Sequence, residues 1–234
     1  MVEMKVIARV RSDFPSKFGI PRQSGLVPEL AARIVMEPEY RVAEAFRGLE
    51  EYSHIWLVWE FSAAPREDWS PTVRPPRLGG NTRVGVFASR SPFRPNPIGL
   101  SCVALDRIEM HPQEGPVLYI KGADLLDGTP IYDIKPYLAY TDSRPTASGS
   151  FAERHLMDRL QVVCPREWQQ AIPEERWKEL TGLLSQDPRP AYQKDPDQIY
   201  GMAYAQWDIR FRVEGDTLTI CQVVPRTTNK GVTE

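Results

Sequence analysis

Through the first 140 residues the apolar positions come in short runs broken by turn-forming residues, and most of those runs predict strands. Val2–Val10 is a β-branched run ending in a polar stretch. His54–Phe61 (HIWLVWEF) is too continuously apolar for a one-faced helix and reads as a buried strand. Val84–Ala88, Ile98–Ile108, Val117–Gly122 and Ile131–Ile134 predict further strands between Gly, Pro, Asp and Asn clusters. One helix is expected over Glu39–Leu49, where Ala43, Phe46 and Leu49 recur on one side. Strands at this density with one helix predict a mainly β fold built on a closed or nearly closed β-barrel.

The pattern changes after Thr141–Ser150 (TDSRPTASGS), a small, polar stretch that reads as a linker. Beyond it, Arg159–Cys164 predicts a strand and Glu174–Ser185 a helix behind Pro173. Gln206–Val213 and Thr217–Val224 form a hairpin pattern around Glu214–Gly215–Asp216. Two units are therefore expected, a barrel over residues 1–148 and a small α+β domain over 149–234.

Composition narrows the function classes. The 234 residues are 41% hydrophobic and 26% charged, with net charge −2, so the chain as a whole is neither a basic coat protein nor an acidic tail. Apolar runs fall well short of a membrane span and no charged-then-apolar leader opens the sequence, so no membrane association is expected. Three scattered cysteines exclude a disulfide framework and favour a reducing, cytoplasmic compartment. The three histidines lie at no ligand spacing to a cysteine or to each other, so no metal is expected. No glycine-rich dinucleotide turn, phosphate loop, nucleophile elbow or zinc-protease motif is present. The 22 prolines outnumber the 15 glycines and argue for short elements joined by stiff turns.

The charge balance hides one anomaly. Residues 71–100 hold Arg74, Arg77, Arg83, Arg90 and Arg94 with no acid and no lysine, and six of the prolines. Arginine forks bind phosphate or carboxylate bidentately and stack on bases. Proline lowers the entropy lost when such a loop is ordered. The window suits an anionic partner, RNA or a charged cofactor, although surface arginines also commonly pair with acids elsewhere in a fold. A second polar cluster, DLLDGTPIYDIKPY (124–137), holds a tight turn at Asp127–Gly128–Thr129–Pro130, followed by Asp133 and Lys135. Aspartate beside glycine is ordinarily a plain turn. Pro21, Arg22 and Gln23 form a third patch, and Trp56 and Trp59 read as core.

The strings RPPRLGGNTRVGVFASRSPFRPNPIGLS (74–101) and DLLDGTPIYDIKPYL (124–138) resemble the signature blocks of the TrmO family of tRNA adenine N6-methyltransferases. So do RVRSDFPSKFGIPRQSGLV (9–27), RGLEEYSHIWLVWEF (47–61) and, in the C-terminal part, QDPRPAYQK (186–194). The resemblance implies a β-barrel that binds S-adenosylmethionine outside the Rossmann framework. It also implies methyl transfer to N6 of threonylcarbamoyladenosine at position 37 of a tRNA, and a homodimer. Cofactor contacts would fall on Pro21, Arg22, Gln23, Ser62, Ala63, Arg90, Leu100, Asp127, Gly128, Thr129 and Pro130. The pattern departs once: family members commonly carry a His after the Phe that is Phe61 here, where this chain has Ser62 and Ala63.

Methyl transfer to a conjugated N6 needs an acceptor for the departing proton. Asp133 or Asp127 is expected in that role, with Tyr137 near the base. Arg90 is expected toward the cofactor's carboxylate or a neighbouring backbone, Arg74, Arg77, Arg83 and Arg94 toward tRNA phosphates, and Arg189 of the C-terminal domain toward the anticodon arm, unless that domain is scaffold alone. A non-catalytic RNA-binding barrel is the rival from another class, and a cofactor-binding regulator a third reading.

Overall fold

A computed structural model describes residues 3–63, 69–75, 78, 82–154, 158–190 and 195–226. Strands β1 (Ala8–Ser12), β2 (Ala31–Met36) and β3 (His54–Glu60) are followed by a two-residue pair, β4 (Thr72–Val73) with β5 (Val84–Gly85). Then come β6 (Ile98–His111), β7 (Gly115–Lys121) and β8 (Pro130–Pro136). Six of these close an antiparallel barrel in the order β1-β2-β7-β6-β3-β8. The His54–Phe61 run shows why closure works. Ile55, Leu57 and Trp59 point inward and are buried, while Trp56 on the outer face is covered by Tyr137, with ring centroids 5.8 Å apart. Both faces are covered, so the run reads as continuously apolar.

Two expectations are corrected. Glu39–Leu49 is not one helix but short 3₁₀ turns at Pro38–Tyr40, Ala43–Phe46 and Leu49–Glu51. Val42 is extended and Gly48 sits at φ 85°, which interrupts any α-helical ladder. The three-residue spacing of Ala43, Phe46 and Leu49 is the 3₁₀ period. Likewise Val84–Ala88 is strand only to Gly85, and then turns. Strand β2 went unpredicted, although its buried Ala32, Ile34 and Met36 help close the barrel.

The C-terminal part runs through the one-turn helices α1 (Ala139–Asp142), α2 (Phe151–Arg154) and α3 (Arg166–Gln169), with β9 (Gln161–Val163) before α3. Helix α4 (Glu174–Ser185) follows Pro173 with Glu174 and Glu175 in its first turn, where acids complement the helix dipole. A sheet of order β10-β11-β12-β9 completes it, from β10 (Tyr200–Tyr204), β11 (Trp207–Glu214) and β12 (Thr217–Pro225). Among the described residues, no helix is long and apolar enough to cross a membrane.

There are two cores, and the second is not made of C-terminal residues alone. Leu180, Leu183 and Leu184 of α4 pack with Ile209, Phe211 and Ile220, and Phe14, Val27 and Leu30 from the N-terminal segment join them. Gly182 makes this possible, since a Cβ there would lie 2.7 Å from a methyl of Val27. Residues 14–30 leave the barrel between β1 and β2, dock on the second domain and return.

Candidate active site

A cavity of about 570 Å³ opens where β3 ends and β6 begins, within the roughly 300–1,000 Å³ range of small-molecule sites. Its floor is Trp59, Gly99 and Asp124. A Cβ on Gly99 would fall inside the Trp59 indole, so glycine lets the ring lie flat on β6. One wall is the excursion carrying Lys17, Ile20, Pro21, Arg22 and Gln23; Ile20 packs on the second core as well as facing the cavity. The opposite wall is the arginine- and proline-rich loop at Ser89–Arg94. That loop is organised from within: Arg94 donates to the carbonyl of Ser89 at 2.6 Å, with longer contacts to those of Val86 and Ser91. The two walls meet where Arg90 donates to the Gln23 side-chain oxygen.

The polar groups at the floor form a directed chain. Trp59 Nε1 donates to Ser101 Oγ at 3.0 Å, and Ser101 Oγ donates to Asp124 Oδ1 at 2.7 Å. Burial pushes the Asp124 carboxyl above the usual carboxylate range, against the Ser101 hydrogen bond, the backbone N–H groups of Asp124 and Ser24 and the Arg90 charge, which pull it back. At the rim, the Tyr132 hydroxyl donates to Glu60 Oε2 at 2.5 Å. Desolvation, reinforced by that carboxylate, pushes the phenol up to about 12.

Of the sequence-predicted cofactor residues, Pro21, Arg22, Gln23, Ser62, Ala63, Arg90, Leu100 and Thr129 line this cavity. Asp127, Gly128 and Pro130 serve the barrel seam. Asp127 Oδ1 accepts from the Ser12 N–H at 3.0 Å, the Gly128 N–H donates to the Val10 carbonyl at 2.9 Å, and Pro130 faces Arg9 across the β1–β8 pairing. The expected catalytic groups lie apart from the floor. Asp133, opposite Val58 in the ladder, accepts from its neighbour Ile134 N–H and pairs with Lys135 at 2.8 Å. Tyr137 lies at the other end of β3, its N–H on the His54 carbonyl and its ring against Trp56.

The expected RNA contacts divide. Arg74 and Arg83 line a second, more open cavity of about 1260 Å³ that shares Arg22, Gln23 and Arg90 with the first. Arg83 donates to Thr72 Oγ1 at 3.1 Å, and Phe87, 73% exposed, stands in the same hollow. Arg94 lines the first cavity, its guanidinium 5.9 Å from the Phe87 ring centroid. Arg189 forks onto Asp187 at 2.8 and 2.9 Å and is largely buried. Arg77 lies outside the described residues.

Asp124, Ser101 and Glu60 lie outside the sequence-predicted site. A signal for Asp124 existed, since it stands between Ala123 and Leu125, both buried. A carboxylate flanked by two core residues is a costly placement that asks for a reason.

Comparison with known proteins agrees with this architecture. Residues 9–143 match the tRNA-methyltransferase O N-terminal domain family and residues 159–226 the TrmO C-terminal domain. The tRNA (adenine(37)-N6)-methyltransferase of Escherichia coli K12 is 41% identical over 96% of this chain and 98% of its own. Its namesake from Eikenella corrodens is 47% identical over 70% of this chain and 92% of its own. A Pseudomonas aeruginosa relative, 40% identical over 87% of this chain and 88% of its own, carries the name of an S-adenosylmethionine-dependent methyltransferase. The crystal structure of TrmO from Pseudomonas aeruginosa superposes with a TM-score of 0.75 at 31% identity, covering 96% of this chain and 99% of that one.

Proposed function

The chain belongs to the tRNA-methyltransferase O family of S-adenosylmethionine-dependent tRNA adenine-37 N6-methyltransferases, and from that premise we propose that its substrate is threonylcarbamoyladenosine 37, presented on the anticodon arm. The enzyme acts in the cytoplasm as a homodimer in this reading. The observation that supports it is the pairing of two adjoining hollows, one sized for a cofactor and one lined by arginines, with Arg22, Gln23 and Arg90 between them.

The residues of the first cavity fit the cofactor. S-adenosylmethionine carries a carboxylate, an ammonium, ribose hydroxyls and a sulfonium, and when bound it supplies an already electrophilic methyl. Arg22 and Arg90 offer forks for the carboxylate. Glu60 offers acceptors for hydroxyls or the ammonium, and Trp59, Ile98 and Leu100 offer apolar surface. In this arrangement the walls orient the two reactants in line and exclude water, an effect that supplies up to about 7–11 kcal/mol in well-aligned systems. Arg74 and Arg83 hold phosphates beside the entrance.

The test is incubation with labelled S-adenosylmethionine and tRNA lacking the final methyl. One methyl per tRNA, on N6 of residue 37, is the expected result. Binding of tRNA without turnover would support the rival RNA-binding module instead, a reading motivated by Ser62–Ala63 standing where relatives are expected to carry His. Nucleosides with and without the threonylcarbamoyl group separate the proposed substrate from plain adenosine.

A further inference from the structure

We propose that Asp124 is the catalytic group that accepts the proton leaving N6 of adenine during methyl transfer. This rests on the family activity and adds to it an assignment of the base.

Three observations carry the assignment. Asp124 lines the cavity with Trp59, Gly99 and Arg90, and the Arg90 charge acts on its carboxyl. It is reached by a hydrogen-bond chain that runs only one way. An indole N–H can only donate, so Ser101 accepts from Trp59 and, being 1% exposed, sends its own proton on to Asp124 Oδ1. The chain therefore fixes the carboxylate as an acceptor and holds it in place. Finally, Asp124 is the one aspartate of the segment that lines the cavity, where the Ser24 N–H and its own N–H also hold it, whereas Asp127 is bound to the β1 backbone and Asp133 to Lys135.

The step balances. The N6 lone pair forms the new C–N bond while the methyl carbon–sulfur bond breaks with its electron pair staying on sulfur. The N6 proton passes to Asp124, leaving a neutral thioether, a neutral methylated base and a neutral carboxylic acid. A sulfonium and a carboxylate thus cancel, which a desolvated site favours. Burial works in the same direction, because it raises the proton affinity of Asp124. The charged groups around it are Arg90, whose charge acts on it, and Lys17, Arg22, Arg94 and Glu60, which line the same cavity. Among them the Arg90 charge favours the carboxylate form that the step uses.

The experiment compares wild type, Asp124→Asn and Ser101→Ala in three measurements. These are cofactor affinity by calorimetry, single-turnover rate at saturating cofactor across pH, and carboxyl-carbon NMR titration of the unliganded protein. Asp124→Asn is expected to bind cofactor within about threefold of wild type and to lose at least about 100-fold in single-turnover rate, the usual contribution of a positioned base. In Ser101→Ala the lost hydrogen bond to the anion raises the Asp124 midpoint, and the acid limb of the rate profile moves to higher pH with it. With a merely structural Asp124 the midpoint would move and the acid limb would not. Single turnover at the wild-type rate in Asp124→Asn overturns the assignment, as does an acid limb unmoved in Ser101→Ala. So does a loss confined to cofactor affinity, which would make Asp124 a cofactor ligand. If Asp124→Asn does not fold, the Ser101→Ala titration and rate profile decide alone. A wild-type protein that transfers no methyl to tRNA overturns the family activity itself, a separate failure.

Discussion

The Arg176 guanidinium of α4 reaches the Asp13 carboxylate at 2.8 Å, across the boundary between the second domain and the barrel. The same nitrogen meets Glu179 at 2.8 Å, and the Tyr204 hydroxyl donates to Glu179 at 2.6 Å. Asp13 opens the excursion that carries Lys17, Pro21, Arg22 and Gln23 to the cavity, so the second domain fixes a wall of the site. Removing Arg176 leaves Asp13 and the buried Glu179 facing each other without a cation. Arg176→Met is expected to lower stability by roughly 1.5–3 kcal/mol, the worth of charge-assisted hydrogen bonds, with the low end favoured because Arg176 and Asp13 keep about a third of their side chains exposed. Cofactor affinity should fall with it. Urea melts and calorimetry on the same samples check both, and unchanged cofactor affinity would detach the domain from the site. For the same reason a fragment ending at residue 148, which strips the partners from Phe14, Val27 and Leu30, should fail to bind cofactor.

Gly99→Ala tests the floor. The added methyl collides with the Trp59 ring, which is held by its hydrogen bond to Ser101. Overpacking of this kind costs about 1–3 kcal/mol. The indole must rotate and the Trp59–Ser101 bond break, so cofactor affinity is expected to drop by an order of magnitude or more. Calorimetry and Trp fluorescence read the two effects.

Asp124→Asn should also alter stability, in a direction opposite to its effect on rate. The folded-state value of Asp124 is raised, so between its unfolded and folded values the native protein binds more protons than the unfolded chain. Stability then falls as pH rises through that window. Asparagine has no such window. The variant should match wild type more closely at acid pH and gain on it as pH rises through the folded value, reaching a plateau above it. Thermal melts of both proteins from about pH 4 to 8 check the sign.

The second hollow predicts a separation of effects on RNA. Arg83→Gln and Arg74→Gln should each weaken tRNA binding and flatten its log–log salt dependence by about 0.7–0.9, as expected for one phosphate contact. Phe87→Ala should cost about 1–3 kcal/mol if the exposed ring stacks on a loop base, with the salt slope unchanged. Filter binding at several salt concentrations distinguishes these outcomes, and a slope unchanged in both arginine variants removes them from the phosphate track.

The strand-rich barrel, the helix at Glu174–Ser185 and the hairpin behind it are legible along the chain, because each is written in local alternation, a preceding proline or a glycine turn. So is the arginine window, since a run of one charge needs no partner to be visible. Family resemblance pointed to the residues of the cavity walls. Which carboxylate lines the cavity depends on contacts between distant segments. Asp124 is set apart from Asp127 and Asp133 by Ser101, 23 residues earlier, and by Trp59, 42 residues before that. A side chain's desolvation and hydrogen-bond partners are properties of contacts between distant segments. The docking of residues 14–30 on the second core was hidden for the same reason. Phe14, Val27 and Leu30 are ordinary apolar residues in a loop until α4 and its sheet bury them.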